Sequence, residues 1–202
     1  AVLINRRLGG SDVGALSVDD ELGSRLSVEH LLRTGHTRIG FLAGPAASRS
    51  GQSRASGYRA ALQSAGLQPE VAWVRHCTSD VDGGREVAIE LLSGHPALTA
   101  LLCYNDLVAV GALQGCKRLN LNVPGDVAVV GCDDIPLAAL VTPALTTCRA
   151  PRYDLGVQAT EMLLARIEGT METFHDVVLS PDLVIRDSAP EGVAIPHGHH
   201  DE

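Results

Sequence analysis

The sequence predicts an α/β protein built on doubly wound parallel sheets. Three observations carry that reading: strand-like and helix-like segments alternate along the chain, key strand candidates are apolar throughout, and glycines close the helical segments. A strand exposed on one face alternates apolar and polar residues. One covered by helices on both faces does not, and the run Val127, Ala128, Val129, Val130 is of the second kind. Repeated β-α units connect by right-handed crossovers, and their ligands bind beyond the carboxyl ends of the strands, where strand order reverses.

Taken in order, residues 2–5 and 15–18 read as short strands. Asp19 and Asp20 then offer an N-cap to a helix over 21–34, with Leu22, Leu26, Val28, Leu31 and Leu32 as its apolar stripe and Gly35 as its stop. Residues 38–43 form a buried strand, Gly44 and Pro45 turn the chain, and a second helix covers 52–65 before Gly66. A strand at 71–75 and a helix at 83–94 follow. The second half repeats the rhythm with a strand at 100–104, a helix at 106–119 and a strand at 127–131. A helix at 153–168 and strands at 177–179 and 183–185 close the pattern, and the Pro-, Gly- and His-containing residues 189–202 read as a flexible tail.

Composition excludes several classes. Of 202 residues 45% are hydrophobic and 20% charged, which is incompatible with wholesale disorder. The apolar runs fall far short of the ~20 residues of a membrane-spanning helix. With 16 Lys and Arg against 24 Asp and Glu, the net charge of −8 repels a phosphate backbone, so this polypeptide is a poor DNA reader by itself. Cysteines 77, 103, 116, 132 and 148 are odd in number and lack C-x-x-C spacing, which predicts packed thiols in a reducing cytoplasm rather than a disulfide framework. The chain opens directly on an apolar run without a leader, as expected of a trimmed or truncated domain.

Polar clusters follow three of the predicted strands. Ser48, Arg49, Ser50 and Arg54 come after 38–43; Tyr104, Asn105 and Asp106 end the next; Asp133 and Asp134 end the third. Guanidinium, amide and carboxylate groups converging there suit a polyhydroxylated or heteroaromatic ligand, because between them they donate and accept hydrogen bonds. Structural tasks fit the same residues: Asn105 or Asp106 as a helix cap, the Asp pair as a turn, and Arg54 as a solvated helix residue.

Four blocks in order and register resemble the effector-binding core of the LacI/GalR family of bacterial transcriptional regulators. They are Gly35-His36-Thr37-Arg38-Ile39-Gly40-Phe41-Leu42-Ala43-Gly44-Pro45, Asn105-Asp106-Leu107-Val108-Ala109-Val110-Gly111-Ala112, the run from Val123 to Pro136, and Thr142-Pro143-Ala144-Leu145-Thr146-Thr147. The resemblance implies a type I periplasmic-binding-protein-like fold of two subdomains with a small-molecule effector, a sugar or related metabolite, held in the cleft between them. It implies a partial N-terminal subdomain from 1–35 plus 151–172 and a C-terminal one from 36–150 plus 173–188. It also implies a homodimer that meets operator DNA only through a helix-turn-helix headpiece absent from this chain. By residue-by-residue correspondence it implies effector contacts at Ser48, Ser50, Arg54, Asn105 and Asp133, while the position of a frequent aromatic stacker falls near Ser79.

Competing chemistry is sparse. His197, His199 and His200 form a tract that would bind a metal weakly, and no metal site or cofactor is expected. Hydrolase, phosphate-loop and zinc-protease motifs are absent from the sequence, and Cys103 beside Tyr104 and Asn105 lacks a basic partner, so no enzyme is expected. The alternative is a periplasmic sugar-binding protein of an uptake system, which shares the fold; the Val-Pro-Gly-Asp and Thr-Pro blocks match the regulators better.

Overall fold

The computed structural model describes residues 1–5 and 13–192. The strands are β1 (Val2–Ile4), β2 (Gly14–Val18), β3 (Ile39–Leu42), β4 (Val74–Arg75), β5 (Ala100–Cys103), β6 (Ala128–Asp133), β7 (Thr146–Arg149), β8 (Val177–Leu179) and β9 (Asp182–Val184). The helices are α1 (Asp20–Arg33), α2 (Arg49–Ser64), α3 (Val81–Gly94), α4 (Asp106–Arg118) and α5 (Arg152–Ile167). The chain forms two compact units, Ala1–Asp19 with Ala150–Asp182, and Asp20–Arg149 with the residues from Leu183 onward.

In the first unit β2 lies between β1 and β8, both pairings parallel, with Leu16 in register with Ile4 on one side and Val177 on the other. Helix α5 covers this sheet through Leu155, Ala159 and Met162, which pack with buried Leu16 and with Phe174. The Asp176 carboxylate accepts the Ala15 amide at 3.2 Å and ties the approach to β8 back to β2.

The second unit carries a six-stranded sheet in the order β4-β3-β5-β6-β7-β9, parallel from β4 through β7. From β3 the chain moves outward to β4, then crosses back to β5 and continues the other way. The order therefore reverses between β3 and β5. Successive strand residues point to opposite faces. Ile39, Phe41, Leu102 and Val130 pack with Val28, Leu31, Tyr58 and Leu62 of α1 and α2. Leu42, Leu101 and Val129 pack with Leu91, Val108 and Ala112 of α3 and α4. Two covered faces explain the near-continuous apolar runs. Helices α3 and α4 approach so closely that a Cβ on Gly111 would collide with the Val81 carbonyl oxygen.

Several expectations need correction. Helix α1 belongs with the six-stranded sheet, not with residues 1–19, because Val28 and Leu31 are buried in the same core as Phe41 and Tyr58. Residues 173–182 likewise belong to the first unit, since β8 pairs with β2. The expected strand at 71–75 is a 3-10 turn, Val71–Trp73, followed by the two-residue β4. Strand β7 is an addition to the expected elements. The flexible tail does not begin at 189: Ser188 and Ala189 are buried, and Ser188 Oγ donates to the Val129 carbonyl at 2.6 Å and accepts the Thr146 amide at 2.8 Å. Residues 193–202, with the His tract, lie outside the described residues.

Candidate functional site

The reversal of strand order brings the carboxyl ends of β3 and β5 side by side, and β6 follows. Local rules place the polar residues there. Ser48 caps α2, its hydroxyl accepting the Gly51 amide at 3.1 Å, and so starts the helix three residues before the predicted 52. Arg54 projects from the second turn of that helix. Asn105 caps α4 by accepting the Val108 amide at 2.9 Å, one of the structural tasks that fit it in sequence. Asp133 ends β6 at φ 112° and Asp134 follows at φ 50°.

Arg54 organises the cluster. Its Nε and Nη2 both donate to Asp20 Oδ1, at 2.9 and 2.7 Å. Nη2 also lies 3.6 Å from Asp133 Oδ1, Nη1 donates to the Tyr104 carbonyl, and the guanidinium carbon sits 4.9 Å from the Tyr104 ring centre. The Arg54 side chain is only 12% exposed, so it is not a solvated helix residue. Burial opposes its charge, yet the carboxylates of Asp20 and Asp133 favour it, and its pKa is raised. Tyr104 in turn shares a 3.0 Å hydrogen bond between its hydroxyl and that of Ser48. Gly44 makes room for its ring: a Cβ there would collide with Tyr104 Cγ, and the backbone has φ +66°.

A second layer holds the Asp133–Asp134 turn. Asp106, buried at the start of α4, accepts the Thr147 hydroxyl at 2.5 Å and the Ile135 amide at 2.8 Å. Burial pushes its carboxyl up to about 6 against those two bonds. Asp134 bonds Arg149 Nε and Arg186 Nη2, both at 2.7 Å, and these hold it below the usual carboxylate range although burial opposes them.

The structure thus brings together Ser48, Arg54 and Asp133 through Tyr104 and Asp20, with Asn105 next to Tyr104 in the chain. Ser50 sits half-buried one turn before Arg54. In sequence Asp20 reads only as a cap for α1, because its role depends on a partner 34 residues away. Asn105 Nδ2 reaches the Ser79 carbonyl at 3.4 Å, so Ser79 presents backbone rather than a ring.

Among the described residues no three His, Cys, Asp or Glu side chains are grouped to hold a metal, and no helix is long and apolar enough to cross a membrane. The five cysteines are free thiols, and burial pushes Cys103 and Cys116 well above the usual thiol range. His36 shares a 3.1 Å hydrogen bond with Thr99.

Fold and strand-end site define a class in which residues 28–189 place the chain: they match the periplasmic binding protein-like domain family. The regulator GalS of Salmonella typhimurium is 36% identical over 187 residues, a match covering 93% of this chain and 55% of the relative. Among solved structures, a complex of the transcriptional regulator CelR with cellobiose superposes with a TM-score of 0.86 at 33% identity, covering 93% of this chain and 58% of that one. A LacI-family regulatory protein from Chloroflexus aggregans gives 0.86 at 34% identity over 93% of this chain and 67% of its own. The chain belongs to this family as an effector-binding core of the LacI/GalR type. It spans about half the length of the curated relatives it matches.

Proposed function

We propose that this chain is the effector-sensing and dimerising core of a bacterial LacI-type transcriptional regulator acting in the cytoplasm. The observation that carries the reading is the constellation of Arg54, Asp20, Asp133, Tyr104 and Ser48 at the point where strand order reverses, the place at which doubly wound sheets bind ligands. Ser48, Ser50, Arg54, Asn105 and Asp133 are its effector-binding residues, and Asp20 joins them. The effector is a sugar or related metabolite, a reading supported by the cellobiose complex of the relative CelR. Operator contact falls to the helix-turn-helix part of the intact regulator, in keeping with the acidic charge of this core. Effector and operator binding are then coupled by about 1–3 kcal/mol, the usual scale of such linkage.

Dimerisation is supported by apolar surface on the second unit. A groove of about 680 Å³ runs between Val110, Leu113 and Lys117 of α4 and the segment Val141, Thr142 and Pro143, and the adjoining Leu140 is 77% exposed. Calorimetric screening of neutral mono- and disaccharides tests sensing, with saturable one-to-one binding expected and no binding by any sugar contradicting that part. Sedimentation equilibrium tests assembly: a dimer is expected, Leu140→Asp shifts it toward monomer, and a monomeric wild-type chain contradicts the dimer and favours the transport-receptor alternative.

A further inference from the structure

We propose that Cys132 and Cys148 form a modification site: a thiol pair that a peroxide converts reversibly to a disulfide joining β6 to β7. The two residues are in register on these neighbouring parallel strands. Adjacent strands lie about 4.8 Å apart, inside the roughly 4.4–6.8 Å that separates the Cα atoms of a disulfide, so the bond asks for no shift of backbone. Both side chains stand on the α1 side of the sheet, where they line one small void and share a hydrogen bond. The other three thiols, Cys77, Cys103 and Cys116, belong to the core on the opposite face, so the sheet itself isolates the pair.

The void measures about 10 Å³, room for one water-sized oxygen, and is also lined by Ser24, Ser27 and Arg54. Ser24 is buried, and its hydroxyl has no hydrogen-bond partner among the described residues. A buried hydroxyl without a partner is costly, and this one lines the space that the oxygen of an oxidised sulfur would enter. Cys132 is half-buried and lies beside the Arg54 guanidinium, which favours its thiolate, whereas Cys148 is buried. Cys132 is therefore the attacking sulfur. Once deprotonated, it attacks one oxygen of hydrogen peroxide; the O–O bond breaks, the departing hydroxide takes up a proton as water, and a sulfenic acid forms. The Cys148 sulfur then attacks the Cys132 sulfur, the S–O bond breaks, and the leaving hydroxide takes the Cys148 proton as a second water. Two thiols lose two electrons and two protons, and one peroxide becomes two waters. The hydrogen bond with Cys148, and then burial, hold the Cys132 thiol well above the usual thiol range in spite of Arg54. Oxidation is accordingly slow at neutral pH and quickens as pH rises. Cys132 Sγ also lies 3.9 Å from Asp133 Oδ1. Tying that sulfur to Cys148 takes its S–H away from the carboxylate, so oxidation weakens ligand binding; this consequence alone rests on the effector-sensing reading.

The test treats the full chain with hydrogen peroxide at neutral and mildly alkaline pH and maps its peptides by mass spectrometry without reduction. The expected result is a peptide cross-linked through Cys132 and Cys148, a free-thiol count lowered by two from five, and recovery of both thiols with dithiothreitol. Cys148→Ala should stop at the sulfenic acid, trapped on Cys132 by dimedone, and Cys132→Ala should form no disulfide. A cross-link through Cys77, Cys103 or Cys116 instead, or a pair that stays unlinked in peroxide at alkaline pH, overturns the proposal. Calorimetry of the reduced and oxidised chain with a neutral sugar reads the consequence, with binding at least about threefold weaker after oxidation expected. Equal affinity in the two forms overturns the coupling to the ligand site, while absence of binding by the reduced chain counts against the effector reading and leaves the disulfide to the peptide map.

Discussion

Arg54 and Asp20 meet across 34 residues of sequence, with Nε and Nη2 of the guanidinium at 2.9 and 2.7 Å from one carboxylate oxygen. The pair joins the start of α1 to the second turn of α2 and sets where Asp133 finds its cation. Both side chains are largely buried, so removing the arginine leaves Asp20 with a desolvated, uncompensated charge.

Arg54→Met should therefore lose stability as well as ligand. We expect a loss of about 2 kcal/mol in urea denaturation, the scale of a hydrogen bond to a charged group, with native circular dichroism below the transition. A variant as stable as the wild type would show that the clamp does not hold α1 to α2.

Two buried groups tilt stability against pH in opposite senses. His36 titrates near 6.5 when unfolded but is lowered to about 4 in the fold, by burial first and by His30 second. Its contribution is present above 6.5 and is lost as pH falls toward 4, by about 3 kcal/mol in all. Asp106 is raised by burial from 3.8 to about 6, so its contribution is present below 3.8 and is lost as pH rises through 6. The two overlap between 4 and 6 and offset each other. Asp106→Asn should lose stability more steeply than the wild type as pH falls through that window, and His36→Gln should gain it. Denaturant midpoints across the window check both signs, and parallel profiles for all three proteins would contradict them.

Thr147→Val keeps the shape of a buried β7 side chain but removes the donor to Asp106 and the acceptor 3.4 Å from the Asp134 amide. A loss of about 1–3 kcal/mol is expected from a buried carboxylate deprived of its partner. Because the same bonds hold the turn that carries Asp133, ligand affinity should fall as well, which titration calorimetry would show. Affinity unchanged beside reduced stability would confine Thr147 to a folding role.

Gly44→Ala puts a Cβ where the Tyr104 ring lies and asks an L residue to adopt φ +66°. A cost of about 1–3 kcal/mol is expected from that strain alone. The ring must also move, breaking the Ser48–Tyr104 hydrogen bond; thermal unfolding and the Tyr104 hydroxyl resonance read the two effects.

Much of this is legible in the residues, for reasons that also explain what is not. Strands β3, β5 and β6 are buried on both faces, so their apolar runs identify them without further context. Strand β7 reads Thr-Thr-Cys-Arg and has no such run. It is buried because Thr146 and Thr147 satisfy their hydroxyls on the Arg186 carbonyl and on Asp106, partners 40 and 41 residues away. Helix α1 shows its apolar stripe but not which sheet it covers, hence its misplaced boundary. The family blocks single out Arg54, Asn105 and Asp133 because these lie in or beside recognisable motifs. Asp20 lies outside them, and its position after β2 also suits a helix cap.

The most direct measurement of the central claim is a calorimetric titration of wild type, Arg54→Met and Asp133→Asn with the sugar that binds best. Saturable one-to-one binding in the wild type, weakened by at least about tenfold in each variant while the variants remain folded, is the expected result. Equal affinity in all three proteins would place the ligand elsewhere and contradict the assignment of the strand-end cluster as the effector site.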